Sequence, residues 1–151
     1  MMQRVKIGPA AEQDLQQLAE IAAVSFPDPW SERLFREAFA SPYTQITAAR
    51  TDSGEIAGYL VLSQAGDEMN VDDIAVSPGF RRTGVGRMLL ETAHRTYPER
   101  NFLLEVRETN KPALALYEAL GYRQVGYRKR YYRNPDEGAV LMTKTKERDT
   151  I

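Results

Sequence analysis

At 151 residues, with 42% hydrophobic and 27% charged side chains, the chain has the size and composition of one soluble globular domain. No run approaches the roughly 18 consecutive apolar residues that a membrane span requires. The absence of cysteine excludes disulfides, thiolate zinc sites and a cysteine nucleophile, in keeping with a reducing cytoplasm. A formal net charge of -1 gives no global attraction to nucleic acid. Basic residues do cluster at Arg81, Arg82 and Arg87 and again at Arg128, Lys129 and Arg130, so any bound polyanion is expected to be small and local.

Met1 to Ala11 carries Arg4 and Lys6 with no apolar stretch behind them, so no secretion signal is expected. In chain order, Arg4 to Ile7 reads as a short strand. From Ala10 to Val24 the apolar positions Leu15, Leu18, Ile21, Ala22 and Val24 fall mainly on one helical face, and Pro27 and Pro29 end the pattern. Ser31, an N-cap residue type, opens a second short helix with Leu34, Phe35, Ala38 and Phe39 on its apolar side, until Pro42. Thr44 to Ala49 and Ile56 to Leu62 are β-branched or apolar runs joined by Thr51-Asp52-Ser53-Gly54-Glu55, a hairpin composition. Val71 to Val76 is a further strand, closed by Ser77-Pro78-Gly79. Helical spacing returns from Gly86 to Thr96 through Val85, Met88, Leu89 and Ala93, and Phe102 to Val106 is the next strand.

Asn110 caps a last helix with Pro112 in its first turn and Gly121 just past its end. Two strands, about Tyr122 to Arg128 and Ala139 to Lys144, complete the order β α α β β β α β α β β. This is an α/β arrangement, a mixed central sheet of about seven strands with helices on both faces. One domain is expected over residues 1–145, with a polar tail at 146–151. Val71 to Val106 is expected to be a right-handed parallel crossover, and ligands in such sheets bind beyond the carboxyl ends of the strands. The loop after Val76 is therefore the first place to look.

That loop reads Arg81-Arg82-Thr83-Gly84-Val85-Gly86 and runs into a helix. Its glycines let the backbone turn with N–H groups outward, and the helix N-terminus adds partial positive charge, together a nest for a pyrophosphate. Arg82 and Arg87 can add salt-sensitive contacts. Taken alone, the same residues also read as an ordinary helix start with solvated arginines.

Context makes the match more specific. Asp73-Ile74-Ala75-Val76-Ser77-Pro78 followed by Arg81 to Gly86 resembles the acetyl-CoA motif of the GNAT family of N-acetyltransferases, usually written Q/R-x-x-G-x-G/A. Leu104-Glu105-Val106-Arg107, Asn110, and Ala115-Leu116-Tyr117-Glu118-Ala119-Leu120-Gly121-Tyr122 are similar to the family's later strand, helix and "LGF/LGY" motif. Within the family the chain resembles the RimI-type ribosomal-protein alanine N-acetyltransferases, through Phe26-Pro27-Asp28-Pro29-Trp30-Ser31-Glu32, Leu104 to Arg107, and Tyr131-Tyr132. It departs from that type in the inserted Asp28-Pro29, in Lys129-Arg130-Tyr131-Tyr132 where "RNYY" is common, and in Glu137-Gly138-Ala139 where "EDA" is common.

The resemblance implies a GNAT fold and acetyl-CoA as co-substrate, with no metal. It implies that Glu105 deprotonates the amine, directly or through a water, and that Tyr117 protonates the thiolate. Ile74, Ala75 and Val76 would offer backbone groups to the pantetheine, one N–H polarising the thioester carbonyl. Arg82, Thr83, Gly84, Val85, Gly86 and Arg87 would cradle the diphosphate, and Asn110 would bond the pantetheine or diphosphate arm. Trp30, Tyr131 and Tyr132 would border the acceptor. Each residue also has a plainer reading: Glu105 as a paired structural carboxylate, Tyr117 as a core aromatic, Asn110 as a helix cap, Trp30 as core, and the tyrosine pair as filling a strand face. His94, the only histidine, reads as a satisfied helix residue.

An α-amino group has a pKa of about 8 and a lysine about 10.4, so lysine costs about 3 kcal/mol more to deprotonate at neutral pH. A single carboxylate base therefore suits an α-amine better. The expected acceptor is a peptide or protein N-terminus, by resemblance the N-terminal alanine of a ribosomal protein. Lysine side chains or a small amine are the alternative, and a non-catalytic acetyl-CoA-binding regulatory module is a third. No direct nucleic-acid or membrane partner is expected, and the chain is expected to be cytoplasmic and a monomer or weak homodimer.

Overall fold

The computed structural model describes residues 4–146; of the expected polar tail, 147–151 lie outside the described residues. Seven strands form one sheet: β1 (Val5–Pro9), β2 (Thr44–Thr51), β3 (Ile56–Ala65), β4 (Glu68–Val76), β5 (Asn101–Arg107), β6 (Arg123–Tyr132) and β7 (Glu137–Lys144). Their order is β1-β2-β3-β4-β5-β7-β6. Four α-helices, α1 (Leu15–Ser25), α2 (Glu32–Ala40), α3 (Val85–Thr96) and α4 (Lys111–Ala119), cover it. Among the described residues no helix is long and apolar enough to cross a membrane.

The helices divide between the faces as expected. Leu18, Ile21 and Ala22 of α1 and Phe35 and Ala38 of α2 pack on Ile46, Ala48, Tyr59 and Val61. Leu89, Leu90 and Ala93 of α3 and Tyr117 of α4 pack on the other face with Met69, Phe102, Leu104 and Met142. Burial of each large apolar side chain contributes about 1.5–3 kcal/mol. Because both faces are covered, Ile56 to Leu62 of β3 is buried without a break, where a half-exposed strand would alternate.

Several boundaries move. Glu12–Asp14 is a 3-10 turn, so the first α-helix starts at Leu15. Asp14 turns back to accept from the Ala11 N–H and pairs with Arg50 of β2, which ties this turn to the sheet. Strand β4 begins at Glu68, because Gly66, at φ 60, closes a tight hairpin with β3 that an apolar pattern does not reveal. Strand β6 runs on through Tyr131 and Tyr132.

Two features of the sheet position the site. Opposite β3, Val61 faces Asp73 while Leu62 faces Val71, so Asp72 is the extra residue of a β-bulge. The parallel pair β4 and β5 is joined only at Glu68, Met69 and Asn70 against Asn101, Phe102 and Leu103. Beyond Asn70 the two strands part, while β5 stays paired to β7 along its length. The rest of β4 is bonded to β3 on one side and open on the other.

Candidate active site

The gap between the parted strands is a cavity of about 380 Å3. Its walls are Val71 to Val76 of β4 and Leu104 to Arg107 of β5. Gly86, Asn110 and Tyr117 close one end, and Phe26, Trp30 and Tyr132 border the other. A second cavity opens beside it, sharing Asp72, Glu105 and Tyr132 and lined further by Arg128 and Tyr131.

At the first end, α3 starts behind Gly84, which sits at φ 88 in the left-handed region that suits glycine. Gly86 has ordinary backbone angles; its role is space, since a Cβ there would lie 3.6 Å from Val76 and 3.7 Å from Leu116. The Val85 side chain belongs to the core. Arg82 is exposed and at φ 64, the Thr83 hydroxyl donates to the Phe80 carbonyl, and Arg87 pairs with Glu91 one turn along the helix at 3.1 Å. Of this loop only Gly86 lines the cavity. What the loop presents is the free N–H groups of a helix start, with positive partial charge.

Asn110 caps α4, its Oδ1 accepting from the Ala113 N–H at 3.2 Å, and it lines the cavity as well, so cap and wall coincide. The capped helix sets Tyr117 facing the cleft. Burial, with the Asp73 charge adding to it, pushes the Tyr117 hydroxyl up to about 12.

Leu104 and Val106 of β5 point to the α3 side, and the alternation of a strand sends Glu105 and Arg107 to the opposite face. Glu105 lies 3.8 Å from Arg128, and interaction with the Glu105 carboxylate raises the pKa of the Tyr131 hydroxyl. Tyr132 lines both cavities; burial first, then the Glu105 charge, raises its pKa. Tyr131 is 46% exposed and lines only the second cavity. Trp30 packs against Phe35, with ring centres 5.2 Å apart, and lines the first. Asp28, in the loop between α1 and α2, accepts from the Asn134 side chain at 3.4 Å, joining the two rims of the cleft.

Glu105, Tyr117, Asn110, Gly86, Ile74, Ala75, Val76, Trp30 and Tyr132 thus meet at one cavity. Asp73 and Arg107 also line the cavity, and neither is among the site residues expected from the sequence. The signal for the first was a pair of adjacent acids in an otherwise apolar strand. Outside the cleft, His94 bonds the Tyr122 hydroxyl at 2.8 Å, a satisfied helix residue as expected.

The model of the acetyltransferase (GNAT) family matches residues 15–122. This chain belongs to that family. Its members are acetyl-CoA-dependent acyltransferases, and the parted β4 and β5 lie within the matched segment. The N-alpha-acetyltransferase RimI of Mycobacterium tuberculosis (strain ATCC 25618 / H37Rv) is 37% identical over 144 residues, 91% of this chain and 90% of that protein. The ribosomal protein bS18-alanine N-acetyltransferase of Escherichia coli (strain K12) is 35% identical over 119 residues, 76% of this chain and 79% of that one. The crystal structure of the ribosomal-protein-S18-alanine N-acetyltransferase from Escherichia coli matches with a TM-score of 0.87 at 27% identity, covering 97% of this chain and 98% of that chain. The acetyltransferase fold of this chain is therefore shared nearly end to end.

Proposed function

We propose that this protein transfers the acetyl group of acetyl-CoA to a protein N-terminal α-amine, with the N-terminal alanine of ribosomal protein bS18 as acceptor. The observation that carries the reading is the parting of β4 from β5, which leaves one cavity bordered by Glu105 and Tyr117. Relatives named for alanine N-acetylation of bS18 support the acceptor.

In this reading the N-terminus of α3 and the backbone of Arg82 to Arg87 receive the diphosphate of acetyl-CoA, as helix starts do for anions. Asn110 and the open edge of Ile74, Ala75 and Val76 meet the pantetheine, one N–H of that edge polarising the thioester carbonyl. Glu105, directly or through a water, takes a proton from the ammonium, which is no nucleophile until it loses one. The neutral nitrogen attacks the thioester carbon and the C–S bond breaks. Tyr117, still protonated at neutral pH, gives its proton to the departing thiolate. Trp30, Tyr131 and Tyr132 flank the acceptor, and a small first residue leaves its amine unhindered.

Incubation with acetyl-CoA and two peptides, one with a free alanine N-terminus and one blocked there but carrying lysine, tests this by mass spectrometry. Acetylation of the α-amine is expected. Acetylation confined to lysine overturns the acceptor assignment, and acetyl-CoA binding without transfer to either peptide overturns the enzymatic one.

A further inference from the structure

Asp73 is a cleft carboxylate that the acetyl-transfer steps above leave without a task. It sits just past the bulge of β4, diagonal to Tyr59 on β3, and the Tyr59 hydroxyl donates to its Oδ2 at 2.6 Å. Tyr59 is itself fully buried, packed edge-on against Phe35 with ring centres 5.3 Å apart, so its hydroxyl holds Asp73 from a fixed base.

Among the described residues Asp73 has no cation. Arg128 pairs with Glu105, Arg107 with Glu137, and Arg50 with Asp14, while no described lysine or arginine pairs with Asp73. Burial pushes its carboxyl up to about 6, with Asp72 adding to the rise and the Tyr59 hydrogen bond first among the effects opposing it. A half-buried carboxylate without a counter-ion destabilises a fold unless something supplies the charge. The sheet tells where that charge would come from. The bulge at Asp72 turns Asp73 and Ala75 to the α1 and α2 face, while Val71 and Ile74 pack on the other core. Glu105 of β5 points to the same α1 and α2 face, so the two carboxylates stand on facing walls of one cavity.

We propose that Asp73, seated by Tyr59, is a substrate-binding residue: the counter-ion that the acceptor's ammonium meets in the cleft, selecting a cationic amine and holding it beside Glu105. The inference rests on the amine-acetyltransferase reading and deepens it. At pH 7 an α-amine with a pKa of about 8 arrives mostly as ammonium. Asp73 pairs with that cation and keeps its own protonation state. Transfer of one proton to Glu105 removes the positive charge, which releases the neutral nitrogen toward the thioester carbon.

The test compares two peptides binding to the protein saturated with coenzyme A, by calorimetry at pH 7. One begins with alanine, and the other is identical except that a hydroxyl replaces its α-amino group. Wild type is expected to prefer the ammonium at least about tenfold, the range of a charge-assisted contact. Asp73→Asn, which keeps the shape, should bring the preference to within about twofold. In steady state Asp73→Asn should raise the acceptor KM about tenfold with kcat changed less than about threefold and the acetyl-CoA KM unchanged. Tyr59→Phe, which leaves the charge but loosens its seat, should lose about threefold of the preference.

A folded Asp73→Asn protein with wild-type ammonium preference overturns the inference and leaves the acetyl-transfer reading standing. Should wild type acetylate only lysine, the same comparison is made with lysine against its hydroxyl analogue, and loss of the ammonium preference in Asp73→Asn remains the deciding result. A wild type that acetylates no amine overturns both.

Discussion

The Arg107 guanidinium lies 4.6 Å from the centre of the Tyr132 ring and donates to the carbonyls of Arg133 at 2.6 Å and Pro135 at 2.9 Å. One residue of β5 thereby fixes the turn between β6 and β7 and, with it, the tyrosine that borders both cavities. Lysine keeps the charge but cannot span two carbonyls while stacking on a ring. Arg107→Lys is expected to raise the acceptor KM about fivefold or more with acetyl-CoA affinity unchanged, measured by steady-state rates and calorimetry.

Gly84 and Gly86 should fail for different reasons. A side chain at Gly84 is strained at φ 88, at a cost of about 1–3 kcal/mol, so Gly84→Val is expected to lower Tm and weaken acetyl-CoA binding at least about tenfold. Gly86→Ala meets only ordinary contacts and should keep the wild-type Tm, whereas Gly86→Val fills the cavity and should cost about tenfold in affinity in a folded protein. Calorimetry and thermal melts separate the two.

Glu105→Gln and Tyr117→Phe preserve shape while removing the proposed base and acid. Each is expected to lower kcat by about 100-fold or more with acetyl-CoA affinity nearly kept. Wild-type turnover in either variant removes the role assigned to that residue. Wild-type rates should rise with pH as the amine deprotonates, and the assay over pH 6 to 9 reads this directly.

Burial first, then repulsion by Lys144, depresses His94 to about 4, with Glu91 opposing. The folded value lies below the unfolded one of about 6.5, so this stabilisation is complete above about pH 6.5 and is lost as pH falls toward about 4. Allowing for partial exposure, wild type should lose about 2 kcal/mol more than His94→Gln between pH 7.5 and 4, by urea unfolding.

For Asp73 the sign reverses. Its folded pKa, raised to about 6 by burial, lies above the unfolded value of about 3.9, so the carboxylate costs stability above about pH 6 and nothing below about pH 4. Asp73→Asn is therefore expected to raise Tm by several degrees at pH 8 and to leave it unchanged near pH 3.5. An equal shift at both pH values would assign the gain to packing.

The elements and the glycine loop were legible because their signals are local. Helical spacing from Leu15 to Val24 and from Val85 to Ala93, the Ser31 and Asn110 caps, and the turn at Gly54 each act within a few residues. The resemblance supplied Glu105, Tyr117 and the β4 residues by position, yet no local rule says that side chains on a strand and on the next helix converge. Long-range pairing decides that. Strand β4 leaves β5 after Asn70, β7 inserts between β5 and β6, and the bulge at Asp72 turns Asp73 toward the cleft. Sequence alone therefore determined which segments become strands and helices and where the glycine loop enters a helix, because backbone propensity, capping and glycine freedom depend on near neighbours. Only the tertiary structure decided that Asp73 faces the cavity with no cation among the described residues while Arg87 turns to Glu91 and Arg128 to Glu105, because charge pairing and desolvation depend on groups brought together from distant parts of the chain.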